Sequence, residues 1–217
     1  MKIIDLSLTV DNDCMTCGTP WHEKVRIESL GKIEEVGRNT SRFVLGSHSA
    51  THMDAPRHFI GEKHGIDGLD LNICMGDITC IDMRKKVTGN VIGINDLTGI
   101  SVTKRMLFAF GWYKKWKTSE YYRGFPYFSA NAVQYLLERG MELIALDTPS
   151  PDDGSSIQEV DDSPNHKMML ARDVVIVEYL TNTDAINFSK KHEIIALPLK
   201  IEGADGSPAR VVLREEE

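Results

Sequence analysis

Short apolar or β-branched runs recur along the chain at Ile3 to Val10, Ser41 to Leu45, Ile78 to Met83, Met106 to Phe110, Leu143 to Asp147, Val174 to Leu180 and Ile194 to Ile201. Gly, Asn and Asp turn signals bound them, and their lengths suit strands. The clearest helical pattern runs from Ser129 to Arg139, with Ser129 as N-cap, Ala130, Val133, Leu136 and Leu137 as the apolar stripe, and Gly140 closing the C-terminus. A second short helix is expected to begin at Thr183 or Asp184 and to end by Lys191. The helix at 129–139 leads directly into the strand at 143–147, and strands outnumber helices. The class is therefore α/β with an excess of strand.

Between His48 and His58 the chain reads His-Ser-Ala-Thr-His-Met-Asp-Ala-Pro-Arg-His. His48, His52, Asp54 and His58 share one parity, so an extended backbone points all four side chains to one side. A helix does not, because Asp54 would leave the face shared by His48 and His52, and Pro56 disfavours a helix interior. A single His is usually a hydrogen-bonded core or surface residue. Four such groups held together without a metal must satisfy one another, at about 1–3 kcal/mol for each group left unpaired. A divalent cation removes that cost, since neutral imidazole and ionised carboxylate both ligate Zn²⁺, Mn²⁺ or Fe²⁺.

Val174 to Leu180 is a buried-strand pattern with one carboxylate, Glu178, inside it. A carboxylate there needs a pair, a hydrogen bond or a metal, unless it faces solvent on a half-exposed strand. His166 follows Pro164 and Asn165, where a loop would return it to the same strand end. Asp147-Thr148-Pro149-Ser150 closes another apolar run. Strand ends of this kind often carry ligand chemistry, and Asp147 serves equally well by accepting from turn amides ahead of Pro149.

The 217 residues suit one domain, 1–217, with material for a substantial core. The net charge of −7 and the lack of a long basic run argue against nucleic acid as a partner. Asp5 interrupts the apolar start, leaving no stretch for a signal peptide or a membrane span, so a soluble cytoplasmic protein is expected. Cys14 and Cys17 form a Cys-x-x-Cys spacing that Cys74 and Cys80 do not complete as a zinc ribbon, and Thr16, Gly18 and Pro20 read as loop. They read as reduced loop thiols, with a redox-sensitive pair beside the active site as the other reading. Trp112 to Lys117, followed by Tyr121 and Tyr122, reads as a loop or subunit contact with aromatics partly buried and lysines solvated.

His48-Ser49-Ala50-Thr51-His52-Met53-Asp54-Ala55-Pro56-Arg57-His58-Phe59 resembles the HxGTHxDxPxHF signature of the metal-dependent cyclase family, which includes bacterial kynurenine formamidases. Asp5-Leu6-Ser7, Gly111-Trp112, Asp147-Thr148-Pro149-Ser150 and the pair His166 and Glu178 match further family segments in order. The resemblance implies His48, His52 and Asp54 as metal ligands and His58 as catalytic proton donor and acceptor. It implies His166 and Glu178 as completing a binuclear site, with Asp54 and Glu178 bridging two cations. It further implies a layered β/β/α, swivelling-domain-like fold and a homo-oligomer, a homodimer or homotetramer. Two positions depart from the pattern: Ala50 replaces the signature Gly, where positive φ or close approach favours glycine, and Asn165 stands where relatives often carry a second His. Trp21 is the candidate substrate-facing aromatic. The implied function is hydrolysis of an amide-type C–N bond in a small molecule, N-formylkynurenine first, using one or two divalent ions with Zn²⁺ ahead of Mn²⁺ and Fe²⁺. A lactone, a cyclic imide or an isatin-like ring is the alternative substrate. A metal-dependent small-molecule binding protein without turnover is the alternative class.

Overall fold

A computed structural model describes residues 1–85, 91–156 and 162–216. The strands are β1 (Lys2–Asp5), β2 (Arg26–Gly31), β3 (Thr40–Val44), β4 (His52–Asp54), β5 (Met75–Asp82) and β6 (Val91–Ile92). They continue as β7 (Arg105–Ala109), β8 (Tyr127–Phe128), β9 (Leu143–Leu146), β10 (Val175–Glu178), β11 (His192–Pro198) and β12 (Gly206–Glu215). The helices are α1 (Ile33–Val36), α2 (Leu71–Cys74), α3 (Ala130–Glu138) and α4 (Pro164–Leu170). The strand excess expected from the sequence is present.

The large sheet runs β1-β12-β11-β5-β7-β9-β10-β4, and a further pairing of β12 with β4 closes seven of these strands into a mixed barrel. Neighbours β5, β7, β9 and β10 are parallel, whereas β4 is antiparallel to both β10 and β12. Closure through a strand of three residues leaves no open edge at the seam. Alternation along the parallel strands builds two cores. Leu107, Ala109, Leu143, Ala145, Val175 and Val177 join Met53, Ile194 and Leu213 inside the barrel. Met106, Phe108, Ile144, Leu146 and Ile176 face outward onto Val133, Leu136, Leu137, Met169 and Leu170 of α3 and α4. Strand wall, inner core, strand wall and helices thus follow one another in section, the layering taking the form of a closed barrel.

Ser129 caps α3 by accepting from the Ala132 amide, as its sequence position suggests. Three expectations are corrected. The helix expected to begin at Thr183 or Asp184 and to end by Lys191 is only a 3-10 turn at Thr183–Ala185, because Asn182 enters it with left-handed backbone and the chain leaves it extended at Ile186. His166 lies on helix α4 rather than in a loop. The stretch from His48 to His58 is not one extended run. Only His52–Asp54 is strand, with His48 in a preceding turn and His58 in a 3-10 turn that Pro56 opens. Ala50 at φ +54° breaks the extension, a conformation costing about 1–2 kcal/mol for a residue with a Cβ. Its methyl is buried beside Cys14 and Val25, which offsets part of that cost.

Candidate metal centre

Met53 points into the barrel, so His52 and Asp54 point outward, and the same alternation turns Glu178 outward after Val177. Register places Glu178 directly opposite His52 across the β4–β10 pair. Thr51 fixes this junction: its hydroxyl donates to the Tyr179 carbonyl at 2.6 Å and accepts from the Leu8 amide at 2.8 Å. Tyr179 itself has left-handed backbone at φ +58°, so the chain turns sharply just after Glu178. Helix α4 covers the outward face and delivers His166.

Each of the two carboxylates divides its oxygens between two groups of histidines. Asp54 Oδ1 lies 2.9 Å from His48 Nδ1 and 3.4 Å from His52 Nε2, while its Oδ2 lies 3.4 Å from His166 Nε2. Glu178 Oε2 lies 3.3 Å from His52 Nε2, and Oε1 lies 3.2 Å from His166 Nε2. His52, Asp54, His166 and Glu178 are all buried. The solvent-facing reading of Glu178 is therefore excluded.

The donor set passes a chemical test for a cation. His52 Nε2, both oxygens of Asp54 and Glu178 Oε1 are buried without a hydrogen-bond partner, although His52 Nε2 lies 3.4 Å from Asp54 Oδ1, and Asp54 Oδ2 and Glu178 Oε1 lie 3.4 Å and 3.2 Å from His166 Nε2. Orphaned buried acceptors and imidazoles converging at ligand spacing are what a divalent ion satisfies. One candidate ligand atom each from His52, Asp54 and Glu178 lies within 4.8 Å of the others, and the same holds for His48, Asp54 and His58. Burial alone would depress His48, but the charge of Asp54, the close approach of its carboxylate and the bond to Asp205 overcome it and push it up to about 10. Burial would likewise lower His166, yet its bond to Asp152 and the nearby carboxylates of Asp54 and Glu178 raise it well above its ordinary value. Burial would raise Asp54, and the surrounding histidines hold it well below the carboxylate range instead.

Two carboxylates unremarked in the sequence orient these histidines. Asp152 Oδ2 accepts from His166 Nδ1 at 2.7 Å and from the His166 amide at 3.0 Å, and its Oδ1 accepts from the Asn165 amide at 2.7 Å. It therefore caps α4 in place of Ser163, whose side chain makes no cap bond. Asp205 Oδ2 lies 2.7 Å from His48 Nε2 and 3.1 Å from His58 Nδ1. Those two bonds hold Asp205 well below the carboxylate range. Burial lowers His58, and Asp205 offsets this only in part. Carboxylates bonded to the far nitrogen of a ligating imidazole are a usual accompaniment of metal sites. The only local signals were a turn dipeptide, Asp205-Gly206, and an Asp two residues beyond Ser150.

Asn165, the second departure, faces away from the cluster: its amide nitrogen donates to the Phe128 carbonyl at 2.7 Å and the Pro151 carbonyl at 3.0 Å. Asp147 takes the structural role, accepting from the Phe110 and Gly111 amides at 2.8 Å each and from the Thr183 hydroxyl at 2.7 Å. A cavity of about 390 Å³ opens onto the cluster, with Phe59, Tyr122 and Tyr179 among its walls, Pro149 and Ser150 at its side, and Trp21 at its rim. Trp21 is 74% exposed. Tyr179 belongs to an aromatic group with Trp116, Tyr121 and Tyr122, so the aromatics after Trp112 back the cavity wall while Lys114 stays largely in solvent.

Among the described residues no helix is long and apolar enough to cross a membrane. The kynurenine formamidase of Bacillus cereus (strain ATCC 10987 / NRS 248) is 30% identical over 217 residues, covering 97% of this chain and 96% of its own. An isatin hydrolase bound to the product analogue thioisatinate superposes with a TM-score of 0.86 at 21% identity, covering 99% of this chain and 93% of its own. A protein from Bacillus stearothermophilus described as a "predicted metal-dependent hydrolase" superposes at 0.75 with 21% identity, covering 98% of this chain and 97% of its own. The two structural likenesses bear on the fold alone. The model of the family described as "Putative cyclase" matches residues 4–153, and with a relative of this identity along nearly the whole chain, the protein belongs to that cyclase family.

Proposed function

We propose that residues 1–217 form one metal-dependent hydrolase domain that cleaves an amide-type C–N bond in a small aromatic molecule, with N-formylkynurenine the first candidate. The observation that carries this reading is the buried set His52, Asp54 and Glu178 with its unpartnered atoms, opening onto an aromatic-walled cavity. In this reading His48, His52 and Asp54 would hold one cation and His166 a second, with Asp54 and Glu178 available to both. Zn²⁺ is the leading candidate, with Mn²⁺ and Fe²⁺ sharing its ligand preferences. Such ions supply Lewis-acid polarisation of the scissile carbonyl and acidify water.

The remaining work falls to side chains. Asp205 occupies Nδ1 of His58 and leaves Nε2 as the free nitrogen, so the imidazole takes a proton from the attacking water and returns it to the leaving nitrogen. Phe59, Tyr122 and Tyr179 hold the aromatic ring and exclude water around the reacting carbonyl, with Trp21 closing over it from the rim. The reading takes the protein as a cytoplasmic homo-oligomer. Leu30 and Phe43 on the β2–β3 hairpin and Ile33 and Val36 on α1 are exposed, an apolar face of the kind that subunit contacts cover.

One observation favours an isatin-like cyclic amide as the second substrate. No Lys or Arg is among the described residues that line the cavity, so no guanidinium or ammonium there pairs with a substrate carboxylate, and a neutral ring needs no such partner. The deciding experiment loads the protein separately with Zn²⁺ and Mn²⁺ and follows kynurenine release from N-formylkynurenine and ring opening of isatin. A His58→Ala control should lose about 10²- to 10⁴-fold in rate while keeping its metal. Metal-loaded protein that turns over neither substrate would overturn the reading.

A further inference from the structure

The loop before β2 carries a pair that the hydrolytic reading leaves unused. Cys17 Sγ lies 3.0 Å from His22 Nδ1, and His22 Nε2 lies 3.0 Å from the His48 carbonyl oxygen. A carbonyl only accepts, so Nε2 carries the ring hydrogen of neutral His22 and Nδ1 is the acceptor. The Cys17 amide donates to the same Nδ1 at 3.3 Å, which requires the same tautomer. The thiol therefore faces a base whose orientation a third group fixes, the arrangement that activates nucleophiles. Thr19 Oγ1, 3.3 Å from Sγ, supplies a donor to the thiolate. Both Cys17 and His22 line the cavity that ends at His52 and Glu178, whose buried unpartnered atoms mark it independently as a place for ligands.

We propose that Cys17 and His22 form a second reactive site in this cavity, at which the Cys17 thiol adds covalently to aromatic α,β-unsaturated carbonyl compounds. His22 Nδ1 takes the thiol proton as the sulfur lone pair forms an S–C bond to the β-carbon. The C=C π pair moves onto the carbonyl as an enolate, and the imidazolium returns the proton to the α-carbon. No other reactant is needed. The aromatic ring of the electrophile rests against Trp21 and Tyr122, and the adduct fills the space in front of the metal cluster.

The other thiols are built differently. Burial raises Cys14, whose Sγ contacts the Thr9 carbonyl, and pushes Cys74 and Cys80 up to about 11 and about 12. For Cys17, bonds to His22 and Thr19 outweigh burial and bring the thiol down to about 7. The Cys-x-x-Cys spacing thus holds one packed and one activated thiol, and all four cysteines are free.

The test treats metal-loaded protein with 4-phenylbut-3-en-2-one at neutral pH and follows labelling by intact mass and peptide mapping. The readout is independent of hydrolytic activity, so its failure is separate from failure of the proposed function. The expected result is one adduct per chain, on Cys17, forming at least about tenfold faster than on Cys80 and slowed at least about tenfold by His22→Gln, in line with loss of a general base. Comparing the four cysteines within the unaltered protein needs no variant to fold. Label spread evenly over the cysteines, or a Cys17 rate no higher than that of free glutathione, would overturn the proposal. So would an unchanged rate in a His22→Gln protein of native circular dichroism.

Discussion

Asp205 accepts from Nδ1 of His58 at 3.1 Å with the same Oδ2 that lies 2.7 Å from His48 Nε2. One oxygen thus ties the proposed proton carrier to a proposed metal ligand across the β4–β12 seam, where the Ala55 amide also bonds the Asp205 carbonyl at 2.9 Å. Asp205→Asn keeps the shape but weakens both bonds and puts an amide donor within reach of imidazole N–H groups. The kcat is expected to fall about 10- to 100-fold, the usual effect of removing a carboxylate that orients a site imidazole. KM should change little and bound metal should persist, since the direct ligands remain. Steady-state kinetics and metal analysis of the same preparation check this, and an unchanged kcat would remove Asp205 from the site.

The division of oxygens in Asp54 and Glu178 predicts metal counts. Unaltered protein should bind two equivalents of Zn²⁺ by elemental analysis. His166→Ala should retain one, because His48, His52 and Asp54 stay together on their own strand and turn. Asp54→Asn should hold neither tightly, since its two oxygens face both histidine groups. Two equivalents retained in His166→Ala would show that His166 is not a ligand.

Gly206 sets the space for the His48 ring. A Cβ at this position would lie 2.9 Å from the Met53 carbonyl oxygen and 2.9 Å from His48 Cε1, and the former is backbone that cannot easily yield. Gly206→Ala is therefore expected to displace His48, costing about 1–3 kcal/mol in stability by overpacking and weakening the first metal equivalent. Chemical denaturation with competitive zinc titration measures both, and wild-type values in both would show that the seam relaxes freely.

Much of this site was legible because its residues are clustered in sequence: His48, His52, Asp54 and His58 span eleven positions and converge in space. Shared parity on an extended backbone accounts only for His52 and Asp54. Ala50 with positive φ and the 3-10 turn after Pro56 bring in the other two, and parity cannot anticipate a left-handed residue. Glu178 announced itself as a charge in an apolar strand, whereas Asp152 and Asp205 lie in polar loops where carboxylates carry no signal. Strand β12 was missed because Gly206, Pro208 and Arg210 interrupt its apolar pattern, and β2 because Arg26, Glu28 and Ser29 leave it only two apolar side chains, Ile27 and Leu30. Barrel closure depends on β4, three residues whose sequence reads as a metal motif rather than as a strand.

Asp147 provides a pH-dependent test away from the metal. Burial pushes its carboxyl up to about 6, and the hydrogen bonds from Thr183, Phe110 and Gly111 offset only part of that cost. Between the unfolded value near 4 and the folded value near 6, the folded protein binds a proton that the unfolded chain does not, so this group adds stability as pH falls through that window. A shift of about two units corresponds to about 3 kcal/mol, present below pH 4 and lost above pH 6. Asp147→Asn has no such titration. Wild type should therefore gain stability over Asp147→Asn as pH drops from about 6 to about 4, with both proteins at the same metal load. Denaturation midpoints across that range measure the difference, and a constant offset would mean that Asp147 stays ionised, its three donors having fully compensated its burial.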